Sequence, residues 1–309
     1  MYKKITVFTF VFFIFQFNSS LAIMQKKLII HMDVNKTIIA LDLAQGKDVE
    51  ETVNIILTEF TRFAWDSQDE QSYYTFLTDQ VAQEFGQLNR ASEEFKKIRD
   101  ARLRTFPSFL KKYPHLLATY EQEKNDLLHM INRHEMGIFP SFYKLISWLD
   151  AHYPNNYTIH LRTFGIDLNN LIAAIEKNST LKFAGRGTFK NGTLSLAIEK
   201  KSLSHFFSNT GAQHFAISDD YPYWKASGFQ THGGKPFPID AQNAELISIF
   251  FDDNADDAER PIICPLQPDG TIADTQELMQ KGIIVSVNSK QAILDEDYFI
   301  NKIKAVYKS

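Results

Sequence analysis

The chain has 309 residues and a net charge of −4 at pH 7, with both signs scattered along it. An apolar share of 44% and an aromatic share of 13% suit a packed globular protein and exclude a disordered one, and the absence of a basic stripe argues against a nucleic-acid binder. The single cysteine, Cys264, lies among Ile262, Ile263 and Pro265 and reads as a buried thiol, which excludes an intramolecular disulfide and a multi-cysteine metal site.

Residues 1–23 read as a secretory signal. Lys3 and Lys4 precede an apolar run from Ile5 to Phe17, and small residues follow at Ser20 and Ala22. Export to the periplasm or outside the cell is the expectation. An uncleaved anchor, or a start at Met24 that leaves the protein in the cytoplasm, stays open. No other segment is long and apolar enough to span a bilayer.

Leu28 to Met32 is an apolar run that ends at Asp33, with Asn35 and Thr37 at alternate positions. Such a run ended by polar residues predicts a buried strand. In an open α/β sheet, ligands sit outside the carboxyl ends of the strands, so Asp33 is placed at the mouth of a site.

From Asp48 the texture is helical. Val49, Val53, Ile56, Leu57, Phe60 and Phe63 share one face, and Tyr74, Leu77, Val81, Phe85 and Leu88 repeat the spacing. The charged stretch 92–104 reads as solvated, and 116–133 as another helix. Residues 45–138 carry no convincing strand and read as a helical insertion. His129 and His134 stand five apart, which does not put two ligands on one helical face.

An αβ unit follows: Pro140 and the apolar face Phe142, Leu145, Ile146 and Leu149, then a strand from Tyr157 to Thr163. Over 166–234 the spacing predicts a helix at 168–175, a hairpin at Asn191-Gly192 and an aromatic, acidic loop at 216–224. The loop's Tyr221, Tyr223 and Trp224 either pack or face a substrate. His232-Gly-Gly-Lys235-Pro236 is a turn carrying a lysine. Leu246 to Phe251 is a strand that runs into Asp252, Asp253, Asp256 and Asp257. Carboxylates so close repel, and a bound cation relieves them. A helix near 275–281, a strand at 283–287 and a final helix from Tyr298 close an α/β sheet.

Four of these stretches, in order, resemble the motifs of the haloacid dehalogenase (HAD) superfamily. Asp33-Val-Asn35-Lys-Thr37 is similar to its first motif, Thr163 to the second, Lys235-Pro236 to the third and Asp252-Asp253 with Asp257 to the fourth. The resemblance covers residues 27 to about 257. It implies a Rossmann-like α/β core of mainly parallel strands (24–44 and 139–309) with a helical cap inserted after the first strand (45–138). It also implies Mg²⁺-dependent phosphoryl chemistry on a small phosphorylated molecule.

On that pattern Asp33 is the nucleophile, Thr163 bonds a phosphoryl oxygen and Lys235 balances charge. Mg²⁺ is held by Asp33, Asp253 and the backbone carbonyl of Asn35, supported by Asp252 and Asp257. The departure is Asn35, where the family's phosphatases carry an aspartate acting as general acid. Three outcomes stay open: a substrate with a good leaving group, another acid such as His31, or a protein that binds phosphorylated ligands and turns them over poorly. A host-interaction protein working through the helical insertion is the alternative from a different class. Halide displacement does not need the carboxylate cluster and is disfavoured.

Overall fold

The computed structural model describes residues 26–65, 70–86, 92–196, 213–240, 243 and 245–306. The stretch read as a secretory signal, residues 1–23, and the alternative start at Met24 lie outside them. The first strand is β1 (Lys27–Asp33). Next come α1 (Val49–Phe60), β2 (Arg62–Ala64), β3 (Glu70–Ser72) and α2 (Tyr73–Glu84). The helices α3 (Glu93–Leu103), α4 (Phe106–Leu110), α5 (Pro114–Ile131) and α6 (Pro140–His152) lead to β4 (Tyr157–Thr163). Beyond it lie α7 (Leu168–Asn178), β5 (Phe183–Lys190), β6 (Thr193–Leu196), β7 (His214–Ser218) and α8 (Tyr221–Ala226). The chain closes with β8 (Lys235–Pro238), β9 (Leu246–Asp252), β10 (Ile263–Leu266), α9 (Thr275–Gln280), β11 (Ile284–Ser286), α10 (Ser289–Leu294) and α11 (Tyr298–Val306).

Seven strands form one sheet in the order β11-β9-β1-β4-β7-β5-β6. Every neighbouring pair is parallel except β5 and β6. The fold is thus Rossmann-like α/β, with a cap-like helical region, α1 to α6, between β1 and β4. Parallel strands covered on both faces are apolar throughout, and Leu28, Ile30 and Met32 of β1 are fully buried. Each such side chain contributes about 1.5–3 kcal/mol by leaving water. The in-register pairing of β1 with β4 and β9 brings Asp33, Thr163 and Asp252 to the same, carboxyl end of the sheet.

The helices begin where side chains cap them. Asp48, Ser72 and Ser92 accept hydrogen bonds from the free backbone N–H groups of Glu51, Thr75 and Phe95. Pro114 and Pro140 stand in the first turns of α5 and α6, where a missing N–H costs nothing. Among the described residues, the helical region does not enclose a core of its own. Val53, Phe63, Phe106 and Ile131 belong to one buried cluster with Ile30, Leu161 and Phe299. The helix α10 is wedged into this join: Ser141 Oγ donates to Ala292 O at 2.5 Å, and Ser289 Oγ to Lys36 O at 2.5 Å.

Three local expectations change. The insertion contains a small hairpin, β2 with β3, whose three-residue strands show no period. The charged stretch 92–104 is the helix α3, held by buried Phe95 and Leu103. The loop expected at 216–224 divides into β7, a central strand of the sheet, and α8, capped by Asp220. The Asn191-Gly192 hairpin is present, both residues having positive φ as a two-residue turn between twisted strands requires. Cys264 is buried, and burial pushes its thiol up to about 11.

Candidate metal centre

Asp33, Asp252 and Asp253 each offer a carboxylate oxygen, and these oxygens lie within 4.8 Å of one another. Asp33 ends β1, and Asp252 ends the neighbouring strand β9. Thr37 links the two sides: its hydroxyl donates to Asp33 Oδ2 at 3.3 Å and accepts from the Asp253 N–H at 3.1 Å. The turn from Val34 to Thr37 that allows this places Lys36 at φ 57°. Left-handed backbone is unusual for a residue with a Cβ.

Two ammonium groups face the acids. Lys235 Nζ, on a side chain 1% exposed, lies 2.5 Å from Asp33 Oδ1 and 2.7 Å from Asp252 Oδ2. Lys36 Nζ lies 2.7 Å from Asp253 Oδ2 and 3.0 Å from both carboxylate oxygens of Glu59, which is on α1. Burial works against the charge of both lysines, but the flanking carboxylates outweigh it and both hold their protons more tightly than usual. Burial, with the fields of Asp252 and Asp253 added, raises the Asp33 carboxyl well above its ordinary range, against the pull of Lys235. Burial and Asp252 push Asp253 up to about 6 in spite of Lys36. With all four carboxylates ionised, Asp33, Asp252, Asp253 and Glu59 against Lys36 and Lys235 leave two negative charges uncompensated. A hard divalent cation with oxygen ligands matches both that charge and the donor set.

The other sequence-derived candidates divide. Thr163 is buried; its hydroxyl accepts from Gly165 N–H at 2.7 Å and donates to Asn35 Oδ1 at 3.3 Å. The Asn35 side chain therefore lies beside Thr163 and not within the carboxylate group. Asp257 is exposed. Its Oδ1 accepts from the N–H groups of Glu259 and Arg260, both at 3.0 Å, which closes the loop after β9 and keeps this carboxylate outside the group of three. His31 is fully buried, its ring stacked on Phe250, and burial, His160 and Arg162 hold it neutral at pH 7. Trp224 is buried and stacks on Phe164 at 5.4 Å, so it packs. His129 is exposed and bonds Arg133.

Lys36, Glu59 and Asp167 were not singled out from the sequence. Lys36 lies inside the first motif, but nothing in its neighbours tells that its side chain folds back to Asp253. Glu59 lies 23 residues further on in α1, and only packing brings it in. Asp167 is buried and accepts from Asn35 Nδ2 at 3.2 Å; as a lone acid ahead of a helix it resembles an ordinary cap.

Fold and site together define a class: an α/β protein with a mostly parallel sheet, a cap-like helical insertion and a buried acidic group able to hold a metal ion. No family model, no curated protein and no solved structure matches the chain.

Proposed function

We propose that the protein is a HAD-like, Mg²⁺-dependent phosphohydrolase or phosphotransferase that works through an aspartyl-phosphate on Asp33. One observation carries the reading. Residues similar to three of the family's motifs, 33–37, 235 and 252–253, meet around three buried carboxylates at the carboxyl ends of two adjacent parallel strands.

In this reading an Asp33 oxygen attacks phosphorus, and the Thr163 hydroxyl turns from Asn35 Oδ1 to donate to a phosphoryl oxygen. Lys235 keeps Asp33 in place and offsets the incoming charge. Asp33, Asp253 and the Asn35 carbonyl would hold Mg²⁺, with Asp252 beside them. The ion, when bound, supplies the charge neutralisation that lets two anions approach.

The test is hydrolysis of p-nitrophenyl phosphate with and without Mg²⁺, by wild type and by Asp33→Asn. Mg²⁺-dependent turnover that the substitution abolishes is the expected result. Turnover that survives Asp33→Asn sinks the nucleophile. A second reading, a protein that binds phosphorylated ligands without turning them over, is favoured by the engagement of both Asn35 amide hydrogens. Mg²⁺-dependent binding of phosphate with no turnover separates it from the first. Export is a separate proposal from residues 1–23. The mature protein is expected outside the cytoplasm with an amino terminus at residue 23 or 24, and an amino terminus at Met1 after expression in an exporting host rules cleavage out.

A further inference from the structure

Transfer of a phosphoryl group leaves negative charge on the departing oxygen, which is met by a proton or by the leaving group's own stability. At the position where the resemblance implies a proton donor, this chain has the amide of Asn35. Its Nδ2 donates to the Leu41 carbonyl at 2.7 Å and to Asp167 Oδ2 at 3.2 Å. Both partners accept, so they dictate which way the amide points, and both N–H bonds are spent. Oδ1 is left on the Thr163 side, where the Thr163 hydroxyl donates to it.

Gly165 holds this arrangement closely. A Cβ there would come within 3.0 Å of Asn35 Oδ1, 3.1 Å of Thr163 Oγ1 and 3.3 Å of Asp167 Oδ2. Asn35 is thus fixed as an acceptor.

Among the described residues, no nearby group is placed to take over the donor role. Lys36 and Lys235 are each held between two carboxylates. His31 is fully buried against Phe250 and Phe237. Asp167 is 2% exposed, and its Oδ1 has no hydrogen-bond partner among the described residues. Its one side-chain hydrogen bond there runs to the Asn35 amide, and an amide does not pass a proton on.

We infer that the substrate is a phosphoryl donor whose leaving group is stable as an anion, an acyl phosphate or phosphoanhydride, and not an alkyl phosphate ester. The inference rests on the phosphotransfer reading and narrows it. In the first step the Asp33 oxygen bonds to phosphorus and the bond to the leaving oxygen breaks. The leaving group departs with the electron pair and takes no proton. In the second step water attacks phosphorus, the Asp33 carboxylate is released, and both hydrogens of the water end on the product phosphate. No acid is required from the protein in either step.

The test compares kcat/KM in Mg²⁺ for acetyl phosphate, p-nitrophenyl phosphate, phenyl phosphate and glycerol 3-phosphate, for wild type, Asp33→Asn and Asp167→Asn. The expected result is Asp33-dependent turnover of the first two, with the last two slower by about 10²–10⁴, the share that a general acid supplies. That gradient is expected to be the same in Asp167→Asn. Glycerol 3-phosphate turned over within about tenfold of acetyl phosphate overturns the inference and leaves the phosphotransfer reading standing. A loss in Asp167→Asn confined to phenyl and glycerol phosphates also overturns it and makes Asp167 the acid. If no compound is turned over in an Asp33-dependent way, the phosphotransfer reading itself fails. Should Asp167→Asn not fold, the wild-type gradient alone decides.

Discussion

Lys235→Met is expected to destabilise the metal-free protein by about 3–5 kcal/mol, the usual cost of removing one partner of a buried ion pair. Lys235 is fully buried, and its ammonium lies between the Asp33 and Asp252 carboxylates. Methionine fills similar volume, so the loss is electrostatic and leaves no cavity. Two carboxylates, themselves buried, would then face each other with Asp253 close by and no cation between them. Unfolding in denaturant, with EDTA present, measures the effect. The cost is expected to shrink when Asp252→Asn is added, because the charge left stranded is then gone, and to shrink again in saturating Mg²⁺. A loss below about 1 kcal/mol, in the range of exposed pairs, would mean that this pair does not organise the site.

The second large effect concerns Asp253 and pH. Its carboxyl is pushed up to about 6 from its ordinary value of 3.8, by burial first and by Asp252 and Glu59 next, against the pull of Lys36. A carboxyl raised on folding contributes stability that is fully present below the unfolded value. That stability is lost as pH rises through the folded value. The metal-free protein therefore loses stability at this site between about pH 4 and pH 6, and roughly two units correspond to about 3 kcal/mol.

Asp253→Asn removes the charge and keeps the shape. In EDTA the variant is expected to be the more stable protein at pH 7 and to lack that fall. It is also expected to gain less from Mg²⁺, because an oxygen ligand has been neutralised. Thermal unfolding from pH 4 to pH 7, with EDTA or Mg²⁺, reads both effects. Parallel curves for wild type and variant would show that Asp253 titrates as an ordinary surface acid and that the cation, if any, binds elsewhere.

The parts of the fold that could be read in advance share one property: the signal lies within a single element. The strands β1 and β9 are apolar runs of seven residues each ending in aspartate. The helices α1, α5 and α6 show three- and four-residue spacing. Asn191-Gly192 needs no tertiary help to define a turn. The strand β7 was read as a loop because it has five residues and no period, and it becomes a strand by pairing with β4 and β5. Asp257 was expected to support the metal beside Asp252 and Asp253. The turn after β9 leaves Asp257 in water with Asp256, apart from the group of three.

From the sequence alone came the sheet class, the place of the helical insertion, and Asp33, Asp252 and Asp253 as carboxylates at strand ends. Each depends on hydrophobic period and on the position of a polar residue directly after an apolar run. The tertiary structure decided which charges meet. The Lys36 ammonium meets Glu59 across the insertion, Lys235 reaches back 202 residues to Asp33, and the Asn35 amide is turned by Leu41 and Asp167. Such contacts depend on distances between elements far apart in the chain, and a local pattern holds no information about them. For that reason the presence of an acidic site and the amide at position 35 were legible in the residues, whereas the direction in which that amide points was not.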